Sequence, residues 1–260
     1  MTQHMLQIQN LCVTFGTQVV VDCVSFDIPT GKTVSIVGES GSGKSVTALS
    51  ILGLLPQTAS VSGNIWFRDR ELLKSTTHEY KSIRGREIAI IFQEPTTSLN
   101  PVFTIGEQIE EVVRQHRSVS KKRAHAITLK QLEEVGIPID RYRAYPHEFS
   151  GGMLQRVMIA MALVCEPSLL IADEPTTALD ATTSRQIIEL IHQIKLNQSM
   201  SMLFITHNLS LVSAISDEIC VMKDGSIVEK GATSSVIQNP CHEYTKHLLD
   251  CRPTIEVNHP

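Results

Sequence analysis

Eight residues, Gly38-Glu39-Ser40-Gly41-Ser42-Gly43-Lys44-Ser45, commit much of the architecture. They fill every fixed position of G-x-x-x-x-G-K-[ST]. A β-branched run, Thr33 to Val37, precedes them, and a stretch predicted as helix runs from Lys44 to about Leu55. A strand that turns through glycines into a helix points backbone N–H groups inward, where they surround phosphate oxygens. The positive end of the helix adds to that field. Lys44 is placed for the β- and γ-phosphates, and the Ser45 hydroxyl for Mg²⁺. The bland alternative is a Gly/Ser-rich turn, which would have to match strand, spacing and helix by accident.

Hydrophobic periodicity places the rest of the chain around this turn. Residues 6 to 13 alternate apolar and polar, then break phase, and read as an early strand. Further strands are predicted from Val19 to Ile28, Ser62 to Phe67 and Ile88 to Phe92. From Ile105 to about Pro167 the pattern turns helical, with helices at Glu107 to His116, Ala124 to Glu134 and Gly152 to Val164. Strand and helix then alternate again: Leu169 to Ala172, Ser184 to Leu196, Met202 to Thr206. Short, wholly apolar strands alternating with helices predict an α/β fold whose parallel sheet is covered on both faces. Glu218 to Met222 and Ser226 to Glu229 read as a hairpin around Lys223-Asp224-Gly225. A last helix is expected from Glu243 to Asp250, and Arg252 to Pro260 as a frayed end.

With 260 residues, 42% hydrophobic and 19% charged, one α/β core with a smaller appended lobe is expected. A net charge of -4 gives no electrostatic reason to bind nucleic acid. Apolar runs such as Val157 to Cys165 are far shorter than the roughly 18 residues that cross hydrocarbon. Met1 to Met5 lack a basic flank leading into an apolar run, so no secretory signal is read and a cytoplasmic location is expected. Cys12, Cys23, Cys165, Cys220, Cys241 and Cys251 form no C-x-x-C pair. Most stand in apolar contexts, so reduced core thiols are expected, without structural disulfides.

A second chemical element lies far along the chain. Leu169-Leu170-Ile171-Ala172-Asp173-Glu174 is an apolar strand ending in two carboxylates. Asp173 suits the Mg²⁺ shell, and Glu174, one residue on, suits polarising an attacking water. Alone, the pair would read as a solvated strand end; behind a complete phosphate loop it reads as the other half of a site.

Phe149-Ser150-Gly151-Gly152-Met153, followed by Gln155-Arg156, resembles the signature of the ABC-transporter ATPases, usually written L-S-G-G-Q. Ser150, Gly151 and Gly152 stand just before a helix, where their N–H groups make an anion site; an ordinary helix cap at Ser150 is part of the same picture. Phe149 and Met153 depart from the usual wording. The resemblance extends over about residues 6 to 250. It implies a P-loop NTPase core of the ABC type with a parallel sheet, an antiparallel β subdomain and a helical subdomain at approximately 104–166, within a nucleotide-binding domain of residues 1–250 and a short tail at 251–260. It further implies that Phe15 stacks on adenine, that Gln93 meets Mg²⁺ and water, that Ala178-Leu179-Asp180 crosses to a partner, and that His207 contacts the γ-phosphate. Ser150 to Met153 would cap ATP held by a second, related ATPase subunit. Two such domains would meet head to tail on the cytoplasmic face of a membrane, beneath two permease subunits served by a solute-binding protein.

Within that family, Phe92-Gln93-Glu94-Pro95-Thr96-Thr97-Ser98-Leu99-Asn100-Pro101, Tyr145-Pro146-His147-Glu148 and Asn239-Pro240 with His242-Glu243-Tyr244-Thr245 resemble the peptide/nickel importer branch. The short tail and the Ser150-Gly151-Gly152-Met153-Leu154-Gln155-Arg156 wording also occur in nickel and metallophore importers, a slight tilt toward metal that leaves nickel or metal chelate and di- or oligopeptide both open as cargo; no iron–sulfur cluster is expected, because Cys241 and Cys251 do not match the four-cysteine arrangement of peptide-importing relatives. Paired cassettes of translation factors and the coiled-coil insertion of repair proteins are not legible, and the catalytic positions that a silent regulatory subunit would lack are present. Glu94 to Pro101, with two prolines, is predicted as an exposed irregular loop; the resemblance implies that this region receives the permease, with Leu99 and Phe103 expected at the contact.

Overall fold

The computed structural model describes residues 4–177 and 179–250. Two sheets organise it. The first is antiparallel, in the order β2-β1-β4-β5, from β1 (His4–Phe15), β2 (Gln18–Pro29), β4 (Ala59–Phe67) and β5 (Arg70–Glu71). The second has the order β10-β9-β3-β8-β7-β6, from β3 (Thr33–Val37), β6 (Ile88–Ile91), β7 (Leu169–Asp173), β8 (Ser201–Thr206), β9 (Glu218–Lys223) and β10 (Ser226–Ala232). Its strands run parallel except for β10, which closes the edge as the antiparallel arm of the β9–β10 hairpin.

Every residue of β3, β7 and β8 is buried, as strands covered on both faces require. Side chains alternate between the faces. Leu169, Ile171, Leu203 and Ile205 join Ala48, Ile51 and the antiparallel sheet in one core. Leu170, Ala172, Met202 and Phe204 join the helices in the other. The antiparallel sheet and α1 (Lys44–Ile51) therefore lie on one face, and the helical layer on the opposite face.

That layer is built from α4 (Ile105–His116), α5 (Lys121–Glu134), α6 (Gly151–Leu163) and α7 (Ala181–Asn197). Ile105, Ile109 and Val113 recur at helical spacing on the buried stripe of α4. Thr104 starts this helix with a capping box: its hydroxyl accepts from the Glu107 N–H, and the Glu107 carboxylate accepts from the Thr104 N–H. The remaining helices are short: α2 (Thr77–Ile83), α3 (Pro95–Ser98), α8 (Leu209–Ile215), α9 (Thr233–Gln238) and α10 (Glu243–Asp250). No helix among the described residues is long and apolar enough to cross a membrane.

Several expectations need correction. The helix after the phosphate loop ends at Ile51, short of Leu55, because Gly53 adopts φ 58° and Pro56 follows. The segment from Glu94 to Pro101 contains a helical turn, α3, with Pro95 in its first turn, where a missing N–H costs nothing. Leu99, expected at an exposed contact, is 4% exposed and packs in the helical core; Val102 and Phe103, 70% and 48% exposed, carry the apolar surface there. Of the cysteines, Cys165 and Cys220 are core thiols, whereas Cys12 is half-buried and Cys23 and Cys241 are exposed. The frayed end and Cys251 lie outside the described residues.

Leu99→Ala is therefore expected to cost about 2–5 kcal/mol of stability, as cavities in packed cores do. Phe103→Ala is expected to leave stability nearly unchanged. Urea unfolding of the two variants checks this, and equal loss in both would contradict the burial of Leu99.

Candidate functional site

The C-terminal ends of β3, β6, β7 and β8 open toward one side of the parallel sheet, where α/β folds gather their ligand-binding loops. Four segments far apart in sequence meet there. The turn from β3 to α1 supplies residues 38 to 43. Gly43 has φ 103°, and a Cβ on it would meet Val20 O and Met222 Cε at 2.7 Å each. At Gly38 an added Cβ would lie 2.1 Å from Met222 O. The loop thus holds a shape and a closeness that side chains would prevent.

Lys44, at the start of α1, is 4% exposed. Its Nζ donates to Gly38 O at 2.9 Å and Glu39 O at 2.7 Å, with Glu174 Oε1 at 3.9 Å. Burial lowers its pKa, partly offset by the charges of Glu174, Asp173 and Glu39. Ser45 Oγ donates to Asp173 Oδ1 at 3.0 Å. Burial raises the Asp173 pKa, and the Ser45 hydrogen bond works against that rise. A phosphate beside the lysine and a divalent cation beside the aspartate would each favour the charged form that burial penalises. The glycine cradle, the buried ammonium and the Ser45–Asp173 pair fit ATP with Mg²⁺.

Glu174 collects most of the contacts. Its backbone is in the left-handed region at φ 46°, tied by its N–H to Ile205 O at 2.9 Å. Oε2 accepts from Thr177 Oγ1 at 2.7 Å and from Gln93 Nε2 at 3.4 Å, and His207 Nδ1 lies 3.2 Å away. Gln93 follows β6 and His207 follows β8, so the parallel register delivers both to the carboxylate. A cavity of about 160 Å³ is lined by Ser40, Gly41, Gly43, Lys44, Ser45, Gln93 and Glu174, together with Val20 and Val46.

Other predicted site residues stand apart. Ser150 caps α6, its Oγ accepting from the Met153 N–H at 3.4 Å. Gly151 faces Leu179, and Gly152 backs onto Thr183 of α7. None of Ser150 to Met153 lines the cavity around Lys44. Phe149 is buried and Met153 packs against the helical core, so both departures from the usual signature sit on the apolar side of the motif. Asp180 caps α7: Oδ1 accepts from the Thr182 and Thr183 N–H groups at 3.0 Å each, and Oδ2 accepts from Thr183 Oγ1. Those hydrogen bonds, that of the Thr183 hydroxyl foremost, lower its pKa. Ala178 lies outside the described residues. Phe15 is half-buried at the end of β1, packed on the antiparallel core, and does not line the cavity.

Sequence reasoning missed two contacts. Thr177 holds Glu174; its hydroxyl three residues downstream was the available signal. Tyr244 OH accepts from the Glu39 N–H at 3.0 Å, bringing α10 against the phosphate loop, and Lys223 Nζ lies 5.1 Å from its ring centroid. Nothing local to Tyr244 announces a partner so far back in the chain.

A glycine loop between strand and helix, with an acidic strand end beside it, defines a P-loop nucleotide-binding protein. The family model described as ABC transporter matches residues 21–177, and the chain belongs to that family. It is 50% identical to the peptidoglycan transport ATP-binding protein YejF of Agrobacterium fabrum, over 99% of this chain and 49% of that protein. The chain thus spans about half the length of that relative. The dipeptide transport ATP-binding protein DppD of Bacillus subtilis is 46% identical over 98% of this chain and 79% of its own length. The oligopeptide transport ATP-binding protein OppD of Haemophilus influenzae is 44% identical over 98% and 80%. Among solved structures, the post-hydrolysis dimer of the ATP-binding cassette MJ0796 with ADP and Pi superposes with a TM-score of 0.77 at 26% identity, covering 88% of this chain and 99% of that one. The cbiO1 protein of Clostridium perfringens shares the fold, with a TM-score of 0.79 at 24% identity over 91% of this chain and 92% of that one.

Proposed function

We propose that this chain is the ATP-hydrolysing subunit of a peptide importer. The observation that carries the reading is the convergence of Lys44, Gln93 and His207 on Glu174 beside the phosphate loop. Identities of 44–50% to transport ATP-binding proteins named for peptides and peptidoglycan support the cargo class. Nickel, toward which the short tail leaned, finds no support in those three names.

In this reading the loop N–H groups and Lys44 hold the phosphates of ATP. Ser45, Asp173 and Gln93 would hold Mg²⁺, which when bound offsets charge on the phosphate oxygens. Glu174 orients and polarises the attacking water, and Thr177 fixes its carboxylate. His207, within reach of Glu174, serves the γ-phosphate end. Phe15 is read as the adenine platform. Ser150, Gly151, Gly152 and Met153 act on ATP bound by a second, related ATPase subunit, toward which Asp180 also lies. We read residues 104–166 as the helical subdomain that meets the permease. The assembly comprises two such ATPase subunits and two permease subunits at the cytoplasmic face of the membrane, with a solute-binding protein delivering cargo.

Lys44→Ala provides the test. Removing a charge-assisted phosphate contact is expected to weaken ATP binding itself, by roughly tenfold or more. Equilibrium titration with a fluorescent ATP analogue measures it, alongside ATPase activity and transport by the assembled complex. Unchanged nucleotide affinity, or a parent chain that neither copurifies with permease subunits nor hydrolyses ATP in their presence, would refute the reading.

A further inference from the structure

The β1–β2 hairpin carries a cluster with no role in the nucleotide site. The antiparallel register runs regularly from Leu6↔Ile28 to Ile8↔Phe26, then shifts. Leu11 pairs with Val24, and Val13 pairs with Val21. Between those pairs a single β1 residue, Cys12, faces two β2 residues, Asp22 and Cys23. This is a β-bulge, and Cys23 takes φ 51° in it. In a regular strand, consecutive side chains point to opposite faces. Here the bulge brings both Asp22 and Cys23 to Cys12.

We infer that Cys12, Asp22 and Cys23 form a binding site for a thiophilic divalent cation, with Zn²⁺ as the type case. One ligand atom from each residue lies within 4.8 Å of the others. The two sulfurs are 3.5 Å apart. A tetrahedral zinc ion with Zn–S near 2.3 Å sets its sulfurs about 3.8 Å apart, and a sulfur–oxygen edge comes to about 3.6 Å. The observed separation is close to the first of these and far from the roughly 2.05 Å of a disulfide.

The surroundings suit the ion. The Cys23 N–H donates to Cys12 Sγ at 3.2 Å, which fixes that sulfur beside the bulge. Cys23 and Asp22 are exposed and Cys12 half-buried, so the ion has an entry path and water can complete the shell. The ligand backbone is anchored: the Asp22 N–H donates to Gly225 O at 2.8 Å, and the Gly225 N–H donates to Ser42 O at 3.1 Å. An ion here would clip β1 to β2 two hydrogen bonds away from the phosphate loop. Two sulfurs and one carboxylate favour a soft or borderline ion over Mg²⁺ or Ca²⁺.

The test uses the full reduced chain in a Cys241→Ser/Cys251→Ser background, with Co²⁺ as the probe. The expected result is a sulfur-to-cobalt charge-transfer band that saturates, is erased by Zn²⁺, and is lost in Cys12→Ser and in Cys23→Ser. Asp22→Asn should bind roughly tenfold more weakly. Added Zn²⁺ should raise the melting temperature of the background chain but not of the serine variants. Retained ATP binding in those variants shows that they fold. A band that survives loss of both cysteines overturns the site. So does a reduced chain that takes up no Co²⁺, even if peroxide then joins the two sulfurs as a disulfide.

Discussion

Glu174→Gln is expected to bind ATP as the parent does and to hydrolyse it roughly 10²–10⁴-fold more slowly, the range over which general bases act. The substitution keeps the length and volume of the side chain and removes its charge. The carboxylate now accepts from Thr177 and Gln93 and lies against His207. All three contacts are at Oε2, so the amide can keep them with its oxygen there, and its NH2 then replaces Oε1 on the side of Lys44. Lys44, 3.9 Å from Glu174 Oε1, keeps its two backbone carbonyl partners, so the phosphate grip should persist. Single-turnover hydrolysis in the assembled transporter, with nucleotide occupancy measured in parallel, checks both halves. Near-parental turnover would remove Glu174 from its role.

Ser150→Arg is expected to spare ATP binding at this chain's own Lys44 while stopping hydrolysis at the phosphate loop of its partner subunit. Ser150 is exposed, caps α6 and does not line the Lys44 cavity. In the proposed reading, a second subunit has to bring Ser150 to the γ-phosphate. Loss of one preorganised donor from a developing anion costs about 10²–10³-fold in rate. Losing the cap itself costs about 1 kcal/mol, too little to unfold α6. Ser150→Ala removes the hydroxyl, cap and donor together, without adding bulk or charge. Mixing the Arg variant with a parental partner ATPase in the presence of permease gives the readout. Full activity of this chain as a dilute monomer would overturn the shared site.

How much of this was legible follows from whether the cause is local. The phosphate loop, Asp173-Glu174 and the helix start at Ser150 write their physics into adjacent residues. The three fully buried strands, Thr33–Val37, Leu169–Asp173 and Ser201–Thr206, announce themselves because only a doubly covered sheet tolerates such runs. The phase break in β1 is visible too; its cause is the register shift around Asn10, which has φ 50°. What could not be read depends on distant partners. Leu99 sits among polar and proline-rich neighbours, yet packs into a core supplied by α4 and α6. Helices as short as Thr233–Gln238 hold too few periods to stand out. Cys12 and Cys23 read as core residues from composition, and only the bulge shows that they face each other.

The phosphate loop is also held in place by residues made long after it. Gly38 lies against Met222, Ser42 is bonded by Gly225, and Glu39 is bonded by Tyr244, 205 residues downstream. At about 5–20 residues per second, a ribosome takes roughly 10–40 s to cover that distance. Through that interval the nascent chain carries the glycines and the lysine without the frame that shapes them. Cellular ATP would then meet the framed loop only once synthesis has passed Tyr244.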